Sequence, residues 1–203
     1  LYYDLTLVPS LEENYLEGEV FIRLRSSIDS LKIFYFDLAP ELSITDFSPP
    51  VKSCISGGRK LQITLEDYVP LGEEIEFFLE FQGYPSLLND IKGLHYRLDD
   101  PENPLIVSLS TPYLAHQWWP CKDGPEDKAD AARITICIPE KTPGGKKLLA
   151  VSNGLLVEEI NAPGLWSCFV YKHNYPIVPY YIMVAIAPYL AFSEDYSSID
   201  GHS

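Results

Sequence analysis

Apolar and polar residues alternate with a period of two along most of this chain. In EEIEFFLEF, Ile75, Phe77, Leu79 and Phe81 share one face while Glu74, Glu76, Phe78 and Glu80 take the other, the pattern of a strand with one buried side. KLQITL (Leu61, Ile63, Leu65), GEVFIRLR (Val20, Ile22, Leu24) and RITICI (Ile134, Ile136, Ile138) read the same way. LKIFYFDL and PYYIMVAIA are apolar on both sides, which predicts central strands lying between two layers. Turn signals separate these segments at Glu17-Gly18, Gly57-Gly58, Leu71-Gly72, Gly144-Gly145 and Asn153-Gly154. Asn153-Gly154, between LLAVS and LLVEEI, predicts a hairpin with a type I′ turn, because both residues tolerate positive φ. No stretch of ten residues carries a helical period. The pattern predicts roughly a dozen short strands in an all-β, antiparallel sandwich with little or no helix. Gly83 to Pro104 is the one long irregular interval, read as a loop or a single helical turn.

Composition narrows the function classes. The chain has 203 residues, 46% of them hydrophobic, enough for one sizeable core, and residues 1–203 are read as a single domain. Its 15 Lys and Arg against 29 Asp and Glu give a formal net charge of −14, which argues against nucleic acid or an anionic membrane surface as partner, since binding phosphates requires a basic face. No apolar run is long enough to span a bilayer. The four cysteines, Cys54, Cys121, Cys137 and Cys168, form no C-x-x-C pair, so neither a zinc knuckle nor a dense disulfide framework is indicated, and the redox compartment stays open. The chain begins at Leu1 with neither a methionine nor a leader and is read as a trimmed piece of a longer polypeptide.

Catalytic chemistry is sparse. His95, His116, His173 and His202 lack the i, i+4 spacing that sets two imidazoles around a metal. Asp99, Asp100 and Glu102 are neighbours in one loop, whereas glycosidase carboxylates face each other across a cleft. Ser152 in VSNG lacks the G-x-S-x-G elbow. The chain carries no visible catalytic residue and no metal site of its own.

One ordered series of residues is more specific. Trp119, Pro120 and Cys121 are followed by Asp123, Pro125, Lys128 and Ala129, then by RITICIP ending at Pro139, then by Ser152, Asn153 and Gly154. This series resembles the amino-terminal, non-catalytic domain of the aminopeptidase-N family of zinc metallopeptidases, which includes leukotriene hydrolase. The opening YYDLTLVPSLEENYLEGEVFIRL, the segment FFLEFQGYPSLLNDIKGLHY and the closing YYIMVAIAPYL are similar to that domain's first hairpin, a middle strand with a later Gly-Leu, and its last strand.

The resemblance implies a large saddle-shaped antiparallel β-sandwich. It also implies a following thermolysin-like domain carrying H-E-x-x-H and the zinc; no such motif lies between Leu1 and Ser203, so no cofactor is expected in this segment. The implied partners are that catalytic domain and a peptide substrate, with this domain forming one wall of the cleft. In the family, a Gln-x-Glu segment places its Glu against the substrate's α-amino group, nine residues before the motif's Pro; here Thr111 holds that place and Leu109 that of the Gln. Ser110, Thr111, Pro112 and Tyr113 are therefore the substrate-proximal candidates. Trp118, Trp119 and Pro120 are the candidates for the interdomain interface, with one indole expected inward and the other outward, as consecutive side chains of an extended segment point oppositely. Asp123 is expected to fix its turn by accepting backbone amides. The alternative is a free-standing sandwich that binds carbohydrate or protein through Trp118, Trp119 and Trp166.

Overall fold

A computed structural model of the chain describes residues 1–85, 87–88, 91–190 and 192. The strands are β1 (Tyr2–Pro9), β2 (Leu16–Arg25), β3 (Leu31–Asp37), β4 (Leu42–Phe47), β5 (Val51–Gly57), β6 (Lys60–Val69), β7 (Glu74–Gly83), β8 (Leu87–Leu88), β9 (Ile91–Lys92), β10 (Leu94–Arg97), β11 (Leu105–Ser108), β12 (Ala131–Pro139), β13 (Leu149–Ser152), β14 (Leu155–Ala162), β15 (Trp166–His173) and β16 (Val184–Ala187). Among the described residues the helical pieces are two single 3-10 turns, Ala115–Gln117 and Pro179–Tyr181. None of these is long and apolar enough to cross a membrane.

A seven-stranded sheet in the order β14-β15-β12-β1-β2-β7-β4 forms the frame. The period-two reading predicts its inner face. Leu5, Leu7, Val20, Ile22, Ile75, Phe77, Leu79, Phe81, Ile134, Ile136 and Ile138 are all buried. Their neighbours in sequence, Asp4, Thr6, Phe21 and Phe78, are only partly covered. Two smaller sheets, β3-β6-β5 and β10-β11-β16-β13, contribute Leu61, Ile63, Leu65, Ile106, Ala150 and Ile186 to the same core. Phe34 meets Phe77 at 5.9 Å between ring centroids, and the Tyr171 hydroxyl donates to the Ala150 carbonyl at 2.9 Å, so each small sheet is tied to the large one. The fold is an all-β sandwich, as expected. One pairing departs from the antiparallel rule: β1 and β12 run parallel, Tyr2 opposite Ala131. The Asp130 amide donates to the Leu1 carbonyl at 2.7 Å at the start of that ladder.

Three local expectations are corrected. LKIFYFDL is an edge strand, β3, with Ile33 and Tyr35 exposed; its apolar outer face has no second layer over it. Asn153-Gly154 does not close a hairpin, because β13 pairs with β16 and β14 with β15 in a different sheet. Gly154 has φ of 87° while Asn153 is not among the positive-φ residues, so the step is a corner between sheets and not a type I′ turn. A Cβ on Gly154 would lie 2.2 Å from the Lys172 carbonyl oxygen. Between Gly83 and Pro104 the chain forms β8 to β10, with no helical turn among the described residues; Ser86, Asn89, Asp90 and, at the other end, His202 lie outside them.

Cys137 and Cys168 face each other across β12 and β15 and form a disulfide. Cys121 is buried and Cys54 partly so; burial pushes the Cys54 thiol up to about 11 and the Cys121 thiol well above its ordinary value. A thiol reagent at pH 8 therefore leaves the folded protein almost untouched, finds two thiols after unfolding without reductant, and finds four after reduction. Four thiols without reductant would show that the β12–β15 bond does not form.

Candidate functional site

The segment between β11 and β12 carries the motif residues, and its local geometry decides where they point. After Leu114 the chain makes the Ala115–Gln117 turn, and the amides of Trp118 and Trp119 both reach the Ala115 carbonyl, at 3.1 and 3.2 Å. Trp118 has φ −138° and ψ −5°, which is not an extended conformation. The rule that successive side chains point oppositely does not apply to it. Both indoles turn inward, Trp118 1% exposed and Trp119 0%, and Pro120 is buried as well. The expectation that one tryptophan faces a neighbouring domain is thus corrected. Trp119 stacks edge-to-face on Tyr3 of β1 at 4.9 Å and leans on Trp118 at 5.9 Å. Gly93 lies against Trp118, where a Cβ would come within 2.9 Å of the indole, and its amide donates to Gln117 Oε1 at 2.5 Å.

Asp123 fixes the turn, as its position in KDGPEDK predicts. Its side chain is wholly buried; Oδ2 accepts the His116 amide at 3.1 Å and sits 2.7 Å from His116 Nδ1. Arg59 Nη2 lies 3.7 Å from the same oxygen, and Arg59 Nε lies 3.3 Å from Asp37 Oδ1. Lys60 also holds Asp37 at 2.7 Å, and Asp37 Oδ2 accepts the Asp123 amide at 3.3 Å. Backbone bonds close the group: Asp37 and Cys121 exchange both, at 2.7 and 3.1 Å, and the Ala39 amide donates to the His116 carbonyl at 2.9 Å. Burial, followed by the nearby carboxylates, raises the Cys121 thiol. The Tyr3 phenol is raised by burial and then by the Cys121 thiol, although its oxygen accepts the Lys122 amide. These residues are a scaffold. His116 is committed to Asp123, and among the described residues no group of three or more His, Cys, Asp and Glu side chains is placed to hold a metal ion. The Asp100 carboxylate caps its own turn through the Glu102 and Asn103 nitrogens, and Glu102 grips Thr142 and the Gly144 amide, so this acidic group is structural too.

An open pocket of about 660 Å³ lies beside this scaffold, bounded by Ser110, Lys128, Asn153, His173, Tyr180 and Tyr181 among others. Motif residues build its walls. Asn153 Oδ1 accepts the Met183 amide and the Ser152 hydroxyl donates to the Met183 carbonyl, both at 2.6 Å; Ala129 and Ile177 exchange backbone bonds at 2.9 Å. Of the four substrate-proximal candidates, Ser110 lines the pocket. Thr111, Pro112 and Tyr113 are exposed next to it in sequence. Thr111 donates its amide to Leu109 at 3.0 Å, and Tyr113 takes a positive φ of 65°. Tyr180 and Tyr181 pack edge-to-face at 4.9 Å. The Tyr180 phenol is pushed above its ordinary value by burial first, then by Tyr181, Tyr113, Asp123 and Glu126. His173, Tyr180, Tyr181 and Arg59 were not among the sequence candidates. PYYIMVAIA reads as one strand, which conceals that Pro179 starts a 3-10 turn and swings both tyrosines to the pocket.

No protein-family model matches the sequence, and no curated protein matches it. Solved structures do. An M1 zinc metallopeptidase mutant from Deinococcus radiodurans bound to a Tyr-Ser-Ala substrate superposes with a TM-score of 0.76 at 21% identity, covering 92% of this chain and 41% of that one. Over nearly all of its length, this chain shares the fold of one part of an M1 zinc metallopeptidase. The two-domain M1 mutant structures bound to L-tryptophan and L-arginine match equally, at TM-scores of 0.76 with 22% and 21% identity. The chain spans about two fifths of the length of these M1 peptidases.

Replacing Trp119 by Ala should lower unfolding stability by about 3–5 kcal/mol, because a fully buried ring leaves a cavity. Replacing exposed Thr111 by Ala should change it by less than about 0.5 kcal/mol. Urea unfolding of the two variants measures both, and equal small effects would place the indole outside the core.

Proposed function

We propose that this chain is the non-catalytic amino-terminal domain of a zinc-dependent aminopeptidase, forming one wall of the cleft that receives peptide amino termini. The observation that carries this reading is the pocket bounded by Ser110, Lys128 and Asn153, which gathers the substrate-proximal segment and the two later motif segments in one place, on a fold shared with M1 peptidases. The described residues offer no ligand set for zinc, so the metal and the hydrolytic step belong to the remainder of the parent protein, and residues 1–203 stand as one accessory domain.

Docking onto that remainder does not use Trp118, Trp119 or Pro120, which this domain seals in its own interior. Tyr175, Leu190 and Phe192 supply exposed apolar surface instead. Aromatic rings of this kind supply large contact areas at interfaces while their hydroxyls stay solvated. Burial of the tryptophans also removes the platform on which a free-standing carbohydrate-binding module would rest, leaving only the partly covered Trp166.

Beside the pocket, the chain's own residues orient the peptide without neutralising it. A substrate ammonium beside Thr111 gains one hydrogen bond to a hydroxyl, weaker than the charge-assisted bond a carboxylate gives. The protein extended beyond Ser203 should bind zinc and hydrolyse aminoacyl anilides, while residues 1–203 alone do neither. In the extended enzyme, Thr111→Glu should lower KM roughly tenfold, the effect of one hydrogen bond to a charged group. An extended protein that binds no zinc and cleaves no anilide would contradict the reading.

A further inference from the structure

We propose that Arg59 is a positioning residue for the substrate-facing segment Ser110–Tyr113, holding the Tyr113 ring in place from the tip of the β5–β6 hairpin. The proposal rests on the reading of that segment as part of the cleft wall. Four features converge on Arg59. Gly57 pairs with Lys60, so Gly58 and Arg59 form a two-residue hairpin loop, with Gly58 at φ 59°, and the Arg59 carbonyl accepts the Leu38 amide at 2.9 Å. The backbone under the side chain is therefore fixed on both sides. The guanidinium then reaches two acids, Asp37 Oδ1 at 3.3 Å and Asp123 Oδ2 at 3.7 Å, and these anchor its orientation. Its carbon lies 5.5 Å from the centroid of the Tyr113 ring, within cation–π range. Finally, Tyr113 holds a positive φ of 65°, a conformation bulky residues adopt only where their surroundings enforce it.

Tyr113 is 47% exposed, so core packing alone does not hold its ring. The charged plane of Arg59 supplies the missing constraint, and it transmits the rigidity of the buried Asp37–Asp123 group to a loop that otherwise has one short backbone bond, Thr111 to Leu109. A planar guanidinium does two things here that an ammonium cannot do together: it bridges two carboxylates and lies against a ring. Lysine at this position keeps a positive charge for the acids and loses the planar guanidinium that reaches acids and ring together, which separates positioning from simple charge compensation.

The test uses the full-length protein and the variants R59K, Y113L and R59K/Y113L. With an aminoacyl anilide, R59K and Y113L should each raise KM roughly three- to tenfold, the worth of one cation–π contact, with kcat changed by less than about twofold, and the double variant should be no worse than either single one, as coupled residues require. Tyr113→Phe, which keeps the ring face, should show a smaller rise than Y113L. R59K at the wild-type KM, or additive effects in the double variant, would overturn the proposal. Amide hydrogen exchange at Thr111, read in the same proteins without substrate, should quicken several-fold in R59K, and an unchanged rate would also overturn it. Should the wild-type enzyme cleave no anilide, the peptidase reading fails, while the exchange rate still decides whether Arg59 holds the segment.

Discussion

The structure around the motif depends on one buried carboxylate. Asp123 has no solvent of its own, and a carboxylate taken out of water is tolerable only when paired and hydrogen-bonded. Its partners come from three separate parts of the chain: His116 from the preceding turn, Arg59 from the β5–β6 tip, and through the Asp123 amide the carboxylate of Asp37 at the end of β3. Pairing its Oδ2 joins the motif turn to the tip of the three-stranded sheet, and the neighbouring Lys122 amide, donating to the Tyr3 hydroxyl, ties the same turn to the large sheet. The two indoles then have no route outward, and they fill the space that the polar group encloses.

This arrangement gives the motif a meaning different from chemistry. Trp119, Pro120, Cys121 and Asp123 are buried and do not line the pocket beside Ser110, whereas Ser110, Lys128 and Asn153 do. The first group fixes a rigid base and the second presents a surface from it. Such a division suits the cleft-wall role proposed for this domain.

The sequence shows most of the sheet and less of the site. Strands with one wet face, such as β7 and β12, are legible because the pleat imposes a two-residue period on burial. The apolar strand β3 misleads, because an exposed apolar outer face and a covered one look alike in sequence. Asn153-Gly154 carries the signature of a hairpin, yet pairing of β13 with β16 is a long-range choice that no local turn preference records. The tryptophans depart from the alternation because a single 3-10 turn breaks it. Asp123 was read correctly since short acids in turns bind nearby amides, but its partner Arg59 lies 64 positions earlier in the chain, and nothing local in GGRK announces an ion pair.

The most direct measurement is the stability of Asp123→Ala by urea unfolding, beside Asp127→Ala, whose partner Lys122 leaves it in a half-exposed surface pair. Removing the buried member should cost about 3–5 kcal/mol, because the His116 amide and ring nitrogen lose their buried acceptor and Arg59 loses one of its two carboxylates, and should open Cys121 to thiol reagents in the folded state. Removing the surface member should cost less than about 1 kcal/mol. Equal, small losses in both variants, with Cys121 still protected, would contradict the view that this carboxylate organises the site.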